Sequence, residues 1–398
     1  MGMAGTPRRR TPFDPGRRRI LRHGLALLGL ALSGAAAPAA RGGAVSANRG
    51  SARLQGPDKN GLLLPPGVTS RIIARSGQEP PGTSGYPWHP APDGGALFPG
   101  ADGGWVYVSN SEMHFPDGGV GALRFDAAGT PLAAYPLLQG SDRNCAGGPT
   151  PWGTWLSCEE VPAGRVWECD PLGRRPASAH PALGLFRHEA VAVDPDDRRL
   201  YLTEDEPDGR LYRFTPDTYP NLSGGRLEVA RVAPPPEGLV AWLAVPDPAA
   251  SSAPTRRQVP DSTAFNGGEG IWYRGGRVYF TTKGDDRVWV YHVAAGALTI
   301  LYDAARYADP PLTGVDTITA SPTGDLLVAE DGGDMQIVAI SPAGALRPLV
   351  QIVGHPLSEM TGPALHPSGT RLYFSSQRGA TGSPADGVTY ELSGALLG

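Results

Sequence analysis

Short apolar runs separated by turn residues extend through most of the chain. From Val68 onward, runs such as 105–109 and 200–203 are bounded by glycine, proline and aspartate. Runs of this kind are typical of β-strands joined by tight turns. No long stretch after the first 40 residues has the helical period of apolar positions, which argues against alternating strands and helices. The pattern therefore predicts an all-β protein.

A four-strand unit recurs along the chain. Its clearest copy has apolar runs at 190–193, 200–203, 211–214 and 225–231. The same order returns from Glu269, Asp316 and Thr361, starting points that lie about 45 residues apart. Self-similarity at this period, with four strands per unit, is the signature of a β-propeller in which each unit is one blade.

The number of blades follows from the candidate second strands. These strands begin near residues 105, 155, 200, 278, 326 and 372, which predicts six blades. Five or seven blades stay open, because the irregular segment 217–262 could contain a partial unit or an insertion. We expect a single propeller domain over residues 66–398, preceded by a flexible lead-in over 41–65.

Composition agrees with a turn-rich β protein. The 398 residues include 55 glycines and 42 prolines, which stand between apolar runs and so mark turns rather than disorder. A chain of this length can bury a large core. The formal net charge of −4 shows no basic excess, and we therefore expect no nucleic-acid partner.

The first 40 residues have the features of an export signal. Arg17, Arg18 and Arg19 resemble a twin-arginine motif, a short apolar run follows over 24–32, and small residues offer cleavage after Ala37 or Ala39. The apolar run is too short to anchor the chain in a bilayer. We expect export in the folded state by the twin-arginine machinery to the periplasm or beyond, although a basic, disordered leader stays an alternative.

The chain has three cysteines, an odd number for an exported protein. Cys158 and Cys169 are close enough in sequence to form a disulfide, but the spacing does not establish their geometry. Cys145 would then be unpaired. A lone thiolate is a good ligand for a transition metal.

Cys145 and three acids occupy the same position in four copies of the unit. Each stands six residues before a turn residue, the pairs being Cys145 and Pro151, Glu189 and Pro195, Glu269 and Gly275, and Asp316 and Pro322. The first strand of a propeller blade lines the central channel, so these side chains should converge. The second strands end at a similar height in Glu112, Glu160, Glu204–Asp205 and Glu330–Asp331.

Convergent carboxylates favour bound cations. Several carboxylates aimed at one point cannot all stay ionised and unpaired, because like charges and desolvation both oppose it. Oxygen ligands suit calcium, and an added thiolate indicates a transition metal nearby. The alternative for any single acid is that it ends a strand at the solvated rim.

The segment 144–160, NCAGGPTPWGTWLSCEE, resembles the PhoX alkaline phosphatase family. Further matches are HEAVAVDP at 188–195, YLTED at 201–205, LYRF at 211–214, EGI at 269–271 and SEMTGP at 358–363. The first motif is long and specific, whereas the later ones are individually weak. The resemblance extends over roughly residues 65–395.

The resemblance implies a six-bladed propeller with iron and calcium ions at the channel mouth, which hydrolyses phosphate monoesters. Cys145 would be the thiolate ligand of iron, and Glu160, Glu189 and Glu269 would be carboxylate ligands. The remaining acids would be calcium ligands or their neighbours: Glu204, Asp205, Asp316, Glu330 and Asp331. A small-molecule phosphoester would be the substrate, and we expect a monomer.

The chain departs from the family pattern in three respects. It is compact, so loops that shape the site should be short. Asn110-Ser111-Glu112 stands where the family has Asn-His-Glu, and Val315-Asp316-Thr317 stands where it has Pro-Asp-Asn. These differences bear on metal affinity and on activity.

The chemistry implied is metal-assisted hydrolysis at alkaline pH. Clustered cations would clamp the phosphate oxygens and neutralise charge on the leaving oxygen. A nearby cationic side chain would strengthen the clamp, since phosphate favours bidentate guanidinium. Arg287 is the candidate catalytic residue, with Lys283 second.

Two other functions stay open. A calcium-dependent propeller lactonase or esterase would use a few channel acids around one ion and would not need Cys145. A non-catalytic binding propeller would use calcium only to stabilise its channel.

Overall fold

The computed structural model describes residues 54–397, and the predicted export signal lies outside them. The described residues form 26 β-strands and a few single-turn 3₁₀ segments, with no α-helix. None of their helical segments is long and apolar enough to cross a membrane. The prediction of an all-β chain is confirmed.

From β3 onward the strands group into six consecutive units, five of four or five strands and a last one of three. Two strands precede the first blade, β1 (Leu62–Leu63) and β2 (Thr69–Arg75). Blade 1 comprises β3 (Pro92–Pro99), β4 (Trp105–Ser111), β5 (Gly118–Phe125) and β6 (Pro131–Ser141). Blade 2 comprises β7 (Asn144–Pro149), β8 (Trp155–Glu159), β9 (Val166–Cys169) and β10 (Ser178–Ala179). Blade 3 comprises β11 (His188–Asp194), β12 (Arg199–Glu204), β13 (Leu211–Thr218), β14 (Asn221–Ala233) and β15 (Gly238–Ala244).

The remaining three blades follow the same order. Blade 4 comprises β16 (Gly268–Arg274), β17 (Arg277–Thr282), β18 (Arg287–His292) and β19 (Ala297–Asp303). Blade 5 comprises β20 (Val315–Ala320), β21 (Leu326–Glu330), β22 (Gln336–Ile340) and β23 (Leu346–Ile352). Blade 6 comprises β24 (Met360–Leu365), β25 (Arg371–Ser376) and β26 (Val388–Ser393).

These units form five hydrogen-bonded sheets, because blades 3 and 4 share one nine-stranded sheet. The extra strand β15 joins them, pairing with β14 on one side and with β19 on the other through Gly238 and Leu239. The irregular segment 217–262 therefore contains the end of β13, the long β14, this bridging strand and a loop, rather than a further blade.

The N-terminal strands complete the last two blades. β2 pairs with β26 and supplies the outer strand of blade 6, so the two ends of the fold are joined in one sheet. β1 pairs with β23 in blade 5. Within the described residues, strand structure thus begins at Leu62, a few residues before the predicted domain boundary at 66.

Side chains of the turn residues fix the short connections between strands. In the turn from β11 to β12, the carboxylate of Asp194 accepts hydrogen bonds from the backbone N–H groups of Asp196 and Asp197. In the turn from β20 to β21, the hydroxyl of Ser321 accepts from the N–H of Asp325. Such local bonds explain why Asp and Ser mark the ends of the apolar runs.

The hydrophobic core is divided among the interfaces between blades. Six clusters of buried apolar residues lie between successive blades, including one between blade 6 and blade 1. In that last cluster Tyr373 of β25 packs with Tyr107 and Phe125 of blade 1. A closed ring of six interfaces is the arrangement of a six-bladed propeller.

The three cysteines are unpaired in this fold. Cys158 lies opposite Val166 and Cys169 lies opposite Trp155, so the two are three positions apart along the same strand pair. That separation rules out the disulfide that the sequence had left open.

Candidate metal centre

A bulge shared by the inner strands aims one side chain per blade at the channel. In five inner strands the register shifts directly after the first paired residue, and the next residue faces the axis. These residues are Asp93, Cys145, Glu189, Glu269 and Asp316. In β24 the shift comes one residue later, and Glu359 just before the strand supplies the acid. Bulges re-aim side chains in this way.

Nine residues form what we call the ring cluster. They fall into four overlapping groups within which the ligand atoms lie no more than 4.8 Å apart: Asp93, Glu112 and Cys145; Cys145, Glu160 and Glu189; Glu189, Glu269 and Asp316; and Asp316, Asp331 and Glu359. The Cys145 sulfur lies 3.2 Å from Glu189 Oε1 and 3.7 Å from Asp93 Oδ2.

Polar side chains of three second strands hold the next blade's bulge in place. Asn110 Nδ2 donates to the carbonyl oxygen of Cys145 at 3.0 Å. The hydroxyls of Thr203 and Thr281 likewise donate to the carbonyl oxygens of Glu269 and Asp316, each at 2.5 Å. The backbone of the ring cluster is therefore fixed by neighbouring blades.

The alternation of side chains along the second strands separates the predicted acids into two sets. Asp331 joins the ring cluster, whereas Glu330 accepts hydrogen bonds from the N–H groups of Thr313 and Gln336. Successive residues of a strand point to opposite faces, so Glu330 cannot share the position of Asp331. Glu330 serves its own blade and does not reach the cluster.

Blade 3 shows the same division. Glu204 accepts from the hydroxyl of Tyr212 at 2.8 Å and pairs with Arg256 at 3.2 Å, away from the cluster. Asp205 belongs to none of the four groups, but its negative charge raises the pKa of Glu269, after burial and the charge of Asp316. The structure thus places Asp205 beside the cluster.

One residue of the ring cluster, Asp93, was not predicted from the sequence, and two others, Glu112 and Glu359, had no predicted role in metal binding. Asp93 stands six residues before Pro99, the same spacing that identified Cys145, and applying that rule to blade 1 would have found it. Glu112 had been recognised only as a strand end, and Glu359 only as part of a motif. Glu359 escapes the spacing rule because the bulge of its strand is displaced by one residue.

Arginines bridge the cluster acids of neighbouring blades. Arg143 pairs with both Glu112 and Glu160, and its Nη2 lies 2.7 Å from Glu160 Oε2. Arg187 contacts the other oxygen of Glu160 at 3.0 Å. On the opposite side, Arg378 Nη1 lies 2.7 Å from Glu359 Oε1. These guanidiniums are partly exposed, whereas the acids they contact are mostly buried.

Arg287, the sequence-based catalytic candidate, makes its contacts elsewhere. Its guanidinium pairs with Asp285 at 2.8 Å and Asp303 at 3.2 Å and lies over the ring of Trp289. No residue of the ring cluster is among its ion-pair partners. Lys283, named second, pairs with three acids of the ring cluster.

Burial dominates the electrostatics of the cluster. Burial, followed by the charge of nearby Glu112, raises the pKa of Glu160 to about 8, against the lowering effect of Arg143. The pKa values of Asp93, Glu189 and Glu359 are raised well above their usual range, first by burial and then by neighbouring carboxylates. The metal-free cluster therefore favours protonated acids.

The two residue differences from the family pattern have hydrogen-bond partners close by. Ser111, where a histidine was expected, donates its hydroxyl to the carbonyl oxygen of Pro90 at 2.8 Å. Thr317, where an asparagine was expected, donates to the carboxylate of Asp316 at 3.2 Å. Thr317 thus supports a cluster acid directly.

Fold and site together define a β-propeller with one thiol and eight carboxylates converging at the mouth of its channel. A family model described as alkaline phosphatase PhoX matches residues 106–165 and 162–380. The chain belongs to this family of phosphatases, as its sequence motifs had indicated.

Solved structures share the fold. Pseudomonas fluorescens PhoX, in complex with the transition-state analogue vanadate, is 18% identical, with a TM-score of 0.72 over 87% of this chain and 97% of that chain. XC5397 from Xanthomonas campestris, a gluconolactonase, is 13% identical, with a TM-score of 0.50 over 87% and 96% of the two chains. No match was found among curated protein sequences.

Proposed function

We propose that this protein hydrolyses phosphate monoesters at alkaline pH with iron and calcium held by the ring cluster. The convergence of Cys145 with eight carboxylates, in a member of a phosphatase family, is the observation that carries the proposal. Acids that only ended strands would face solvent, whereas Glu189 and Glu269 are 1% exposed.

The donor set fits these metals. Carboxylate oxygens are the ligands that calcium prefers, and a thiolate among them favours a transition metal. Cys145 belongs to the two groups completed by Asp93 and Glu112 and by Glu160 and Glu189, so iron would be held there. Calcium would be held on the all-carboxylate side.

The buried carboxylate oxygens of the cluster also favour a positive charge close to them. Glu269 Oε1 is buried and accepts no well-formed hydrogen bond, although Lys283 Nζ lies 2.8 Å away. Burial and like charges raise the pKa of several cluster acids, and a bound cation reverses that effect. Cations bound there would neutralise the phosphoryl oxygens in the transition state.

The chain's own cations would orient the substrate. Arg143, Arg187 and Arg378 are partly exposed, so a phosphate entering the channel mouth would meet their guanidiniums first. A guanidinium binds two phosphate oxygens at once, which fixes the direction of the leaving group. The catalytic role predicted for Arg287 remains a prediction without a contact that supports it.

An alkaline pH optimum for the hydrolysis is expected from the raised pKa values of the same cluster. Metal ligands must be deprotonated to bind, so metal affinity rises as the pH passes the pKa of each acid. Burial raises the pKa of Glu160 to about 8. Metal affinity of the thiol side should therefore increase as the solution becomes alkaline.

Export and assembly belong to the proposal as well. The twin-arginine-like motif supports export in the folded state, with metals already bound, to the periplasm or the medium. We infer that the protein acts as a monomer on small phosphoesters and binds no nucleic acid, in keeping with its net charge of −4.

Elemental analysis and p-nitrophenyl phosphate turnover of Cys145→Ala test the proposal, with Cys169→Ala as the matched control. Cys169 is buried in blade 2 and lies in none of the four groups. We expect iron content and turnover of Cys145→Ala to fall together by about tenfold or more, while the control keeps both.

Full turnover without Cys145 would remove the thiolate from the mechanism. Wild-type protein with calcium alone and no phosphatase turnover would favour the lactonase or the binding propeller instead. Gluconolactone hydrolysis on the same sample separates those two alternatives.

A further inference from the structure

Lys283 stands where most blades carry an acid. It directly follows Thr282, the residue of β17 that pairs with the first residue of the inner strand β16. The same register position in the other blades holds Glu112, Glu160, Asp205, Asp331 and Gln377. Lys283 is thus the one positively charged member of this set.

The ammonium group lies among three carboxylates from two blades. Its nitrogen is 2.8 Å from Glu269 Oε1, 3.3 Å from Asp316 Oδ2 and 3.3 Å from Asp331 Oδ2. Its side chain is only 30% exposed, and that of Glu269 is 2% exposed. A compact charge surrounded by carboxylate oxygens is also the environment of a bound divalent ion.

The contacts of Lys283 span two of the four ligand groups. Glu269 and Asp316 belong to one group, and Asp316 and Asp331 belong to the next. An ion held by either group would have to displace the ammonium or share its oxygens. On the thiol side, by contrast, Arg143 bridges Glu112 and Glu160, and no side-chain ammonium contacts Cys145 in the described part of the chain.

We propose that the ammonium of Lys283 takes the place of one divalent cation in the ring cluster. Metal ions would then be confined to the thiol side and to positions that Lys283 leaves free. This inference rests on the proposed function, because it assumes that the cluster binds metals.

The substitution Lys283→Gln tests the inference through metal content rather than activity. Glutamine removes the charge and leaves room beside Glu269, Asp316 and Asp331. We expect the variant to bind about one more calcium ion per chain than the wild type, measured by calorimetric titration of chelator-treated protein with calcium and by elemental analysis after gel filtration. Lys59→Gln is the matched control, since Lys59 is exposed in a turn far along the chain from the cluster.

The possible outcomes separate the inference from the proposed function. Wild-type protein that binds no metal would overturn the function. Wild-type protein that binds metals, with an unchanged or lower calcium count in Lys283→Gln, would overturn only the inference. If the variant folds poorly, calcium should restore its thermal stability to that of the wild type, and failure of calcium to do so would also contradict the inference.

Discussion

At the scale of single residues, the site depends on which of two neighbouring acids faces the channel. Glu330 and Asp331 are adjacent, yet only Asp331 joins the ring cluster, since Glu330 satisfies two backbone N–H groups of its own blade. Glu204 and Asp205 divide in a related way, and Asp205 lies beside the cluster. An acid pair in sequence therefore contributes one potential ligand and one structural side chain.

One prediction at this scale concerns the contribution of Arg143 to catalysis. Its guanidinium joins Glu112 and Glu160 at the channel mouth, whereas Arg287 is occupied by Asp285 and Asp303. We expect Arg143→Ala to lower kcat/KM for p-nitrophenyl phosphate by about a hundredfold, as is usual when one donor to a developing oxyanion is removed.

Steady-state kinetics of Arg143→Ala and Arg287→Ala, measured side by side, decide between the two guanidiniums. Arg277→Ala serves as a neutral control, because Arg277 is exposed and lies at the far turn of blade 4. A larger loss of kcat/KM in Arg287→Ala than in Arg143→Ala would support the catalytic role that the sequence predicted for Arg287.

At the scale of elements, the bulged inner strands determine the geometry of the cluster. They approach one another so closely that only glycine fits at several positions. A Cβ atom on Gly148 of β7 would lie 1.8 Å from the carbonyl oxygen of Val191 in β11. The spacing of Cys145 and Glu189, which lie on the same two strands, depends on this contact.

We therefore predict that Gly148→Ala separates β7 from β11. The free energy of unfolding should fall by about 2 kcal/mol or more, the usual cost of overpacking, and iron binding should weaken with it. Urea denaturation and elemental analysis measure the two effects. Gly56→Ala is the control, since a Cβ atom there meets nothing within 4 Å; equal stability of the two variants would contradict the close contact.

At the scale of the whole molecule, closure of the ring concentrates negative charge at one point. Six interfaces hold the blades together, and β2 joins the N-terminal part of the fold to the last blade. The packing of these interfaces opposes the repulsion within the ring cluster. Bound metals would remove that repulsion, so metal loading and folding stability should be linked.

Metal removal tests this linkage. Burial raises the pKa of Glu160 from 4.5 to about 8, so between these values the metal-free folded chain holds a proton that the unfolded chain has released. Its stability must then fall as the pH rises through this window. We expect the Tm of chelator-treated protein to drop between pH 5 and pH 8 and added calcium to restore most of it, as measured by differential scanning calorimetry. A Tm that is independent of both pH and calcium would show that the cluster is not a metal site.

Much of this architecture is encoded locally and was therefore predictable. Turn residues, short apolar runs and their repeat period predicted the propeller, and the six-residue spacing to a turn brought Cys145, Glu189, Glu269 and Asp316 into one set. Asp93 has the same six-residue spacing, to Pro99, but was not among the predicted residues. The family motif at 144–160 pointed to a phosphatase, and the family match supports it.

The sequence by itself determined the fold class and the identity of most cluster residues, because strand alternation, turn chemistry and repeat phase act over short distances. Only the tertiary structure decided which of two adjacent acids faces the channel, that Cys158 and Cys169 stay apart, and that Lys283 rather than Arg287 reaches the cluster. Those outcomes depend on register shifts and on contacts between blades. Such contacts join residues far apart in the chain, and no local pattern specifies them.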